Sequence, residues 1–364
     1  MQLYGKKLSK REFEGLVGDI GQVLGVRKIR MDEGKAAGVC AYEVRTGGGL
    51  SYTVLPDRGM DIPFAEYKGV PLNFLSKTGV VHPAYFNDRG YEYARGFFGG
   101  LLSTCGLTYM GEACIDGGIE LGKHGRINNT PAESSGYSLS WDGDELLMAV
   151  SGSVRESSIA GENMVMRREI HSTAGAASIK ISDTVENCGF RPEPMMMLYH
   201  FNFGFPLVSE DTSLYLPAHN TIPFPGESER LAGEYGCFSP PCENACDLVY
   251  YHILEKDPEG FGSAALFNPR LGENGLGISL HYPMENLPVL VQWKSMKYGD
   301  YVTAIEPSTG YVDGRAAARE RSELTILEPD ESRRFEIELT VFDGEAAFLS
   351  AAERMGLKPG CVAN

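Results

Sequence analysis

The sequence predicts an all-β chain built as a large antiparallel β-sandwich with short helices near its ends. Three observations carry that expectation. The 364 residues include 44 Gly and 20 Pro, spread along the chain, so tight turns recur throughout. Apolar–polar alternation also recurs, and a period of two marks a half-buried strand. No long helix separates the alternating segments, which argues against βαβ units and a doubly wound sheet.

Taken in order, Phe13, Leu16, Val17, Ile20 and Leu24 recur at three- and four-residue steps and predict a helix over 10–24. Gly15, Gly18 and Gly21 weaken that helix. Short apolar runs bounded by turn residues follow, at 50–55, around Leu139 and Trp141, and at 146–150. Gly47, Gly48 and Gly49 lie between two such runs and read as a hairpin turn. The cleanest alternations are at 178–185 and 334–341. A short helix is expected over 344–356. No linker or repeat divides the chain, so residues 1–364 read as a single domain with its core at about 40–342.

Thirty-three Lys and Arg against 49 Asp and Glu give a net charge of −16. That balance argues against nucleic-acid or anionic-membrane partners, which need a basic footprint. No secretory signal or 18-residue apolar run is readable, so the expected location is cytoplasmic. Of the eight cysteines, Cys237, Cys242 and Cys246 are spaced C-x4-C-x3-C, without a CxxC knuckle. Reduced thiols are expected, and no zinc. Dinucleotide, P-loop, nucleophile-elbow and HExxH patterns are absent.

Three polar segments stand out. The first, from Gly122, places His124 between Lys123 and Gly125 and continues to Arg126, Asn128 and Asn129. It reads either as a hydrogen-bonded turn or as a polyol or anion site. The second embeds His200 and Asn202 in an apolar, aromatic run from Pro194 to Pro206. Taken alone, His200 reads as a satisfied core histidine. In the third, Glu306 ends an apolar strand before Pro307, and an exposed strand-end charge is the simple alternative. Together these segments offer an acid/base pocket for a neutral polyol.

The same segments, in their order and spacing, resemble the aldose 1-epimerase (galactose mutarotase-like) superfamily. His124-Gly125 is similar to its first histidine motif, the run Tyr199 to Gly204 to its second, and Ile305-Glu306-Pro307 to its late Glu-Pro motif. The stretch from Tyr52 to Asp61 and the turn around Gly69 resemble its early strands. The family's early arginine has no clear counterpart near Leu101, and Arg95 or Arg126 would have to replace it.

The resemblance implies a β-supersandwich with a sugar cleft on one sheet, and metal-independent acid/base interconversion of sugar anomers. It implies Glu306 as the base and His200 as the acid, on either side of the anomeric carbon. His124 would hold the substrate or stabilise charge on the ring oxygen, with Arg126, Asn202, Asp247 and Gln292 on the sugar hydroxyls and Trp293, Tyr199 and Phe98 against the ring. No cofactor is expected. The expected partner is a small-molecule sugar, and a homodimer stays open. The rival readings are an epimerase or isomerase acting next to a carbonyl, a sugar-binding protein without turnover, and a metal enzyme ligated by His124, His200 and Glu306.

Overall fold

In the computed structural model, which describes residues 1–360, 48% of residues lie in strands and 12% in helices. The two cleanest alternations in the sequence become neighbouring strands, Ser178–Asn187 and Ser332–Asp343, with Ile181 opposite Ile337. Their alternate residues, among them Ile179, Ile181, Phe335, Ile337 and Leu339, are buried in the main core. These strands are the middle of a nine-stranded antiparallel sheet. Its order is Glu133–Asp142, Glu145–Ser157, Asn163–Thr173, Ser178–Asn187, Ser332–Asp343, Leu276–Pro283, Phe261–Asn268, Ser213–Leu216 and Lys358–Pro359.

Facing it is a second antiparallel sheet. Its main strands are β1 (Leu102–Leu107), β2 (Glu193–Gly204), β3 (His219–Pro223), β4 (Asp247–Leu254), β5 (Val289–Lys297) and β6 (Asp300–Ser308). They lie in the order β1-β2-β6-β5-β4-β3, and Thr325–Leu327 pairs with one end of β2. A smaller sheet of five strands runs from Gly25–Arg30 to Val70–Pro71. Within it, Cys40–Arg45 pairs with Leu50–Val54 across the predicted glycine hairpin.

Three expectations need correction. The helix over 10–24 stops at Leu16, and a separate 3-10 turn follows at Ile20–Gln22. Ser9 and Glu12 cap the first piece as a capping box, but Asp19 caps a fresh start, so the apolar spacing spans two turns of chain rather than one helix. The core also reaches beyond 40–342: Leu3, Phe13 and Leu24 join the main cluster, and Phe348 of the helix Glu345–Arg354 packs on Phe267. Finally, Cys237 is disulfide-bonded, while Cys40, Cys105, Cys114, Cys188, Cys242 and Cys246 are free. The bond therefore joins neither other member of the C-x4-C-x3-C cluster, and local spacing carries no information about such a pairing. Among the described residues, no helix is long and apolar enough to cross a membrane.

Between the two large sheets sits a buried cation. Arg168 donates through Nε and Nη2 to both carboxylate oxygens of Asp183, at 2.9 and 2.6 Å. Its Nη1 reaches Asp61 at 3.1 Å and the Thr104 hydroxyl of β1 at 2.8 Å. Tyr199 of β2 donates to Asp183 at 2.7 Å. The arrangement ties the nine-stranded sheet to β1 and β2. Burial pushes the Asp61 carboxyl up to about 6, against the pull of Arg168. Removing one partner of such a network leaves an uncompensated buried charge. Arg168→Met should therefore lower unfolding stability by roughly 3–5 kcal/mol in urea titrations; a loss below about 1 kcal/mol, the scale of an exposed pair, would show the network to be dispensable.

Candidate active site

Side chains alternate along β2, so Met195, Met197, Tyr199, Phe201 and Phe203 enter the main core. Met196, Leu198, His200 and Asn202 point to the opposite face. On β6, Phe201 pairs with Ile305 and Leu198 with Ser308, which sets His200 abreast of Glu306. Pro307 has no N–H to donate, so the hydrogen-bonded ladder is interrupted beside this pair. On β5, Val291 pairs with Glu306 and Trp293 with Ala304, and on β4 Tyr251 pairs with Val291. Trp293 and Tyr251 therefore share the face of His200 and Glu306.

The fourth contributor is a turn. His124 holds a left-handed φ of 61°, and Gly125 follows at 78°. A Cβ on Gly125 would lie 2.2 Å from the Gly106 carbonyl oxygen, so only glycine fits there. This is the physical content of the His-Gly pair. The His124 ring then sits 5.8 Å from the His200 ring, edge-on, with Tyr93 5.4 Å away on its other contact. Phe97 and Trp293 approach the His200 ring at 5.3 and 5.9 Å.

His200 Nε2 lies 3.4 Å from Glu306 Oε1, with the two side chains only 6% and 2% exposed. The pair is not aligned as a hydrogen bond, and Glu306 Oε1 has no partner. Neither do Tyr93 Oη, His124 Nδ1, Asn128 Nδ2, His200 Nδ1, Asn202 Oδ1 and Tyr251 Oη. These seven belong to ten such buried atoms among the described residues. An unpaired buried polar group costs about 1–3 kcal/mol, so their concentration here singles this cluster out as the candidate site.

Burial lifts the Glu306 carboxyl well above the usual carboxylate range, against a weaker pull from Lys123. Burial also pulls the His200 imidazole down to about 3. His124 falls well below its usual range through burial and then through His200 and Lys123. Lys123 itself is ion-paired with Glu112 at 2.8 Å. Burial thus favours the acid form of Glu306 and the neutral form of the His200 imidazole. Among the described residues, no group of three His, Cys, Asp or Glu side chains is arranged to hold a metal ion.

A family model described as Domain of unknown function (DUF4432) matches residues 36–341. The chain belongs to the DUF4432 family. No functionally curated protein matches it. Among solved structures, this DUF4432 chain resembles a provisionally assigned aldose 1-epimerase from Klebsiella pneumoniae, with a TM-score of 0.85 and 24% identity. That match covers 91% of this chain and 86% of the other. A galactose mutarotase-like protein from Clostridium acetobutylicum aligns at TM-score 0.61 and 15% identity, over 88% and 99%. The galactose 1-epimerase of Lactobacillus acidophilus aligns at 0.56 and 12%, over 88% and 100%. At these identities the likeness is one of fold, and the galactose mutarotase-like sandwich expected from the motifs is the fold observed.

Of the residues expected at the site of the DUF4432 chain, the fold brings together Glu306, His200, His124, Asn202 and Trp293. Asn202 also donates to the Gly99 and His200 carbonyls at 3.2 and 2.8 Å, which braces the strand. Six others are elsewhere or engaged. Gln292 faces the opposite side of β5, bonded to His252, Tyr235 and Thr303, because its neighbour Trp293 takes the site face. Asp247 is exposed at the start of β4 and paired with Lys297 at 2.5 Å. Arg126 is ion-paired with Asp88 and lies over Phe86, and Arg95 pairs with Glu92. Tyr199 and Phe98 are core residues. Sequence reasoning missed Tyr93, Phe97 and Tyr251, whereas Asn128 lay within the first polar segment. The aromatic-rich run from Tyr91 to Phe98 was the available signal for the first two.

The depressed His200 pKa has a direct test. In ligand-free protein, ring-carbon NMR should show His200 neutral through the ordinary histidine range near 6.5. A His200 midpoint in that range would show that the site is wetter than the geometry says.

Proposed function

We propose that this protein is a sugar isomerase of the aldose 1-epimerase type, interconverting the anomers of a cyclic sugar without a metal. The observation that carries the reading is the buried His200–Glu306 contact at 3.4 Å, surrounded by unpartnered polar atoms and aromatic rings. Ring opening of a cyclic hemiacetal moves one proton off the anomeric hydroxyl and one onto the ring oxygen. Both oxygens sit on the same carbon, so an acid and a base that nearly touch can serve them together. His124, Tyr93, Asn128 and Asn202 offer hydrogen bonds to sugar hydroxyls, and Trp293 and Phe97 offer apolar surface.

Burial opposes the charged form of each group, which inverts the roles implied by the family resemblance: Glu306, favoured in its acid form, serves as the acid, and neutral His200 takes the hydroxyl proton as the base. After ring opening the roles reverse, so each turnover returns the pair to its starting state. Protonating His200 stops the reaction on the acid side, and deprotonating Glu306 stops it on the alkaline side. These limbs belong to the coupled pair rather than to either residue alone.

Glu306→Gln and His200→Asn should each fold normally and bind sugar within a few-fold of wild type, yet lose about 10²–10⁴ of the anomer-exchange rate. Saturation-exchange NMR across aldoses measures this. The double variant should be little worse than either single one, since both act on one event. Wild-type exchange by Glu306→Gln would remove the assignment; unfolding of both variants would make His200 a core histidine. The acid-side loss of the wild-type rate should lie below the ordinary histidine range near 6.5, because burial holds the imidazole neutral. An acid-side midpoint within that range would show that His200 titrates as an ordinary imidazole.

A further inference from the structure

Arg58 is fully buried, yet no carboxylate accepts a hydrogen bond from it. Its Nε donates to the Asn128 carbonyl at 2.7 Å, its Nη1 to the Val81 carbonyl, and its Nη2 to the Gly96 carbonyl at 3.0 Å. The guanidinium lies 4.9 Å over the Phe98 ring. Burial pulls it down to about 10, with Asp61 opposing that shift through space. A buried cation satisfied by backbone carbonyls alone is a costly choice for a position that only needs filling.

The three carbonyls explain the choice. Val81 and Gly96 bracket the segment 82–95, which carries Tyr93 and runs straight into Phe97. Asn128 lies in the 3-10 turn Ile127–Asn129, four residues after His124. Gly59 continues the junction: its N–H donates to Thr130 at 3.1 Å, and a Cβ there would lie 2.6 Å from the Ile127 carbonyl oxygen. The two segments that wall the site are thus held to each other through one planar fork. Glu306 and His200 need no such help, because they hang from paired strands.

We infer that Arg58 is a positioning residue: by clamping the 82–96 and 124–130 segments together it sets His124, Tyr93, Phe97 and Asn128 against the strand-borne pair, and so governs sugar binding rather than proton transfer. This rests on the isomerase reading for its kinetic consequence, but not for its structural one.

Arg58→Met and Arg58→Lys separate the two. In NMR exchange assays Arg58→Met should raise KM about ten-fold or more while leaving the pH profile unchanged, since the residues that set that profile stay on β2 and β6. Arg58→Lys, which keeps some donors, should fall between. A merely destabilised protein would instead show a smaller active fraction, with lower kcat and unchanged KM. Without sugar, trypsin should cut Arg58→Met at the exposed Arg89 and Arg95 about ten-fold faster than wild type, tracking loop release. Should Arg58→Met fail to fold, Arg58→Lys and Phe98→Leu carry the same measurements. Wild-type KM together with wild-type cleavage overturns the inference. If wild-type protein exchanges no anomers, the isomerase reading falls and the trypsin result alone decides the clamp.

Discussion

A guanidinium without water must have its charge answered where it lies, and that requirement shapes the interior of this protein. Arg168 takes Asp183 from its own sheet in a two-pronged grip, then draws in Asp61 and Thr104 from outside it. Tyr199 closes the group from β2. Apolar packing alone tolerates small slides between facing sheets, but directional bonds to charged groups do not. Since Tyr199 precedes His200, anchoring one residue on the core side fixes its neighbour on the other. The network thus reaches the candidate site without touching it.

The site is a second solution to the same problem, with the opposite outcome. Glu306 and His200 are as secluded as Arg168, but no protein group completes their bonding. Seclusion then favours the neutral form of each. One interior holds both a satisfied charge cluster and an unsatisfied polar one.

Much of this was legible in the sequence. Period-two alternation located the strands at Ser178–Asn187 and Ser332–Asp343, and the spacing of His124, His200 and Glu306 singled out side chains that do converge. The same alternation carried a warning about Gln292 and Trp293, since adjacent strand residues cannot both face one cleft. Asp247 and Arg126 stand apart from the expectation because their charges are engaged by Lys297 and Asp88, partners distant in sequence. Tyr93 and Tyr251 were missed because a phenol gains meaning only from the absence of a partner, which no local pattern reveals. Arg58 lay inside a motif noticed only as an early strand.

The division between strand-borne and loop-borne side chains bears on how such a protein can diversify. Turns accept substitution and insertion at little cost to the scaffold, whereas paired strands resist both. Descendants of an ancestral sandwich could exchange the turns around His124 and Tyr93, and with them the choice of small molecule, while inheriting the Glu306–His200 pair intact. Close likeness in backbone would then coexist with wide divergence in diet.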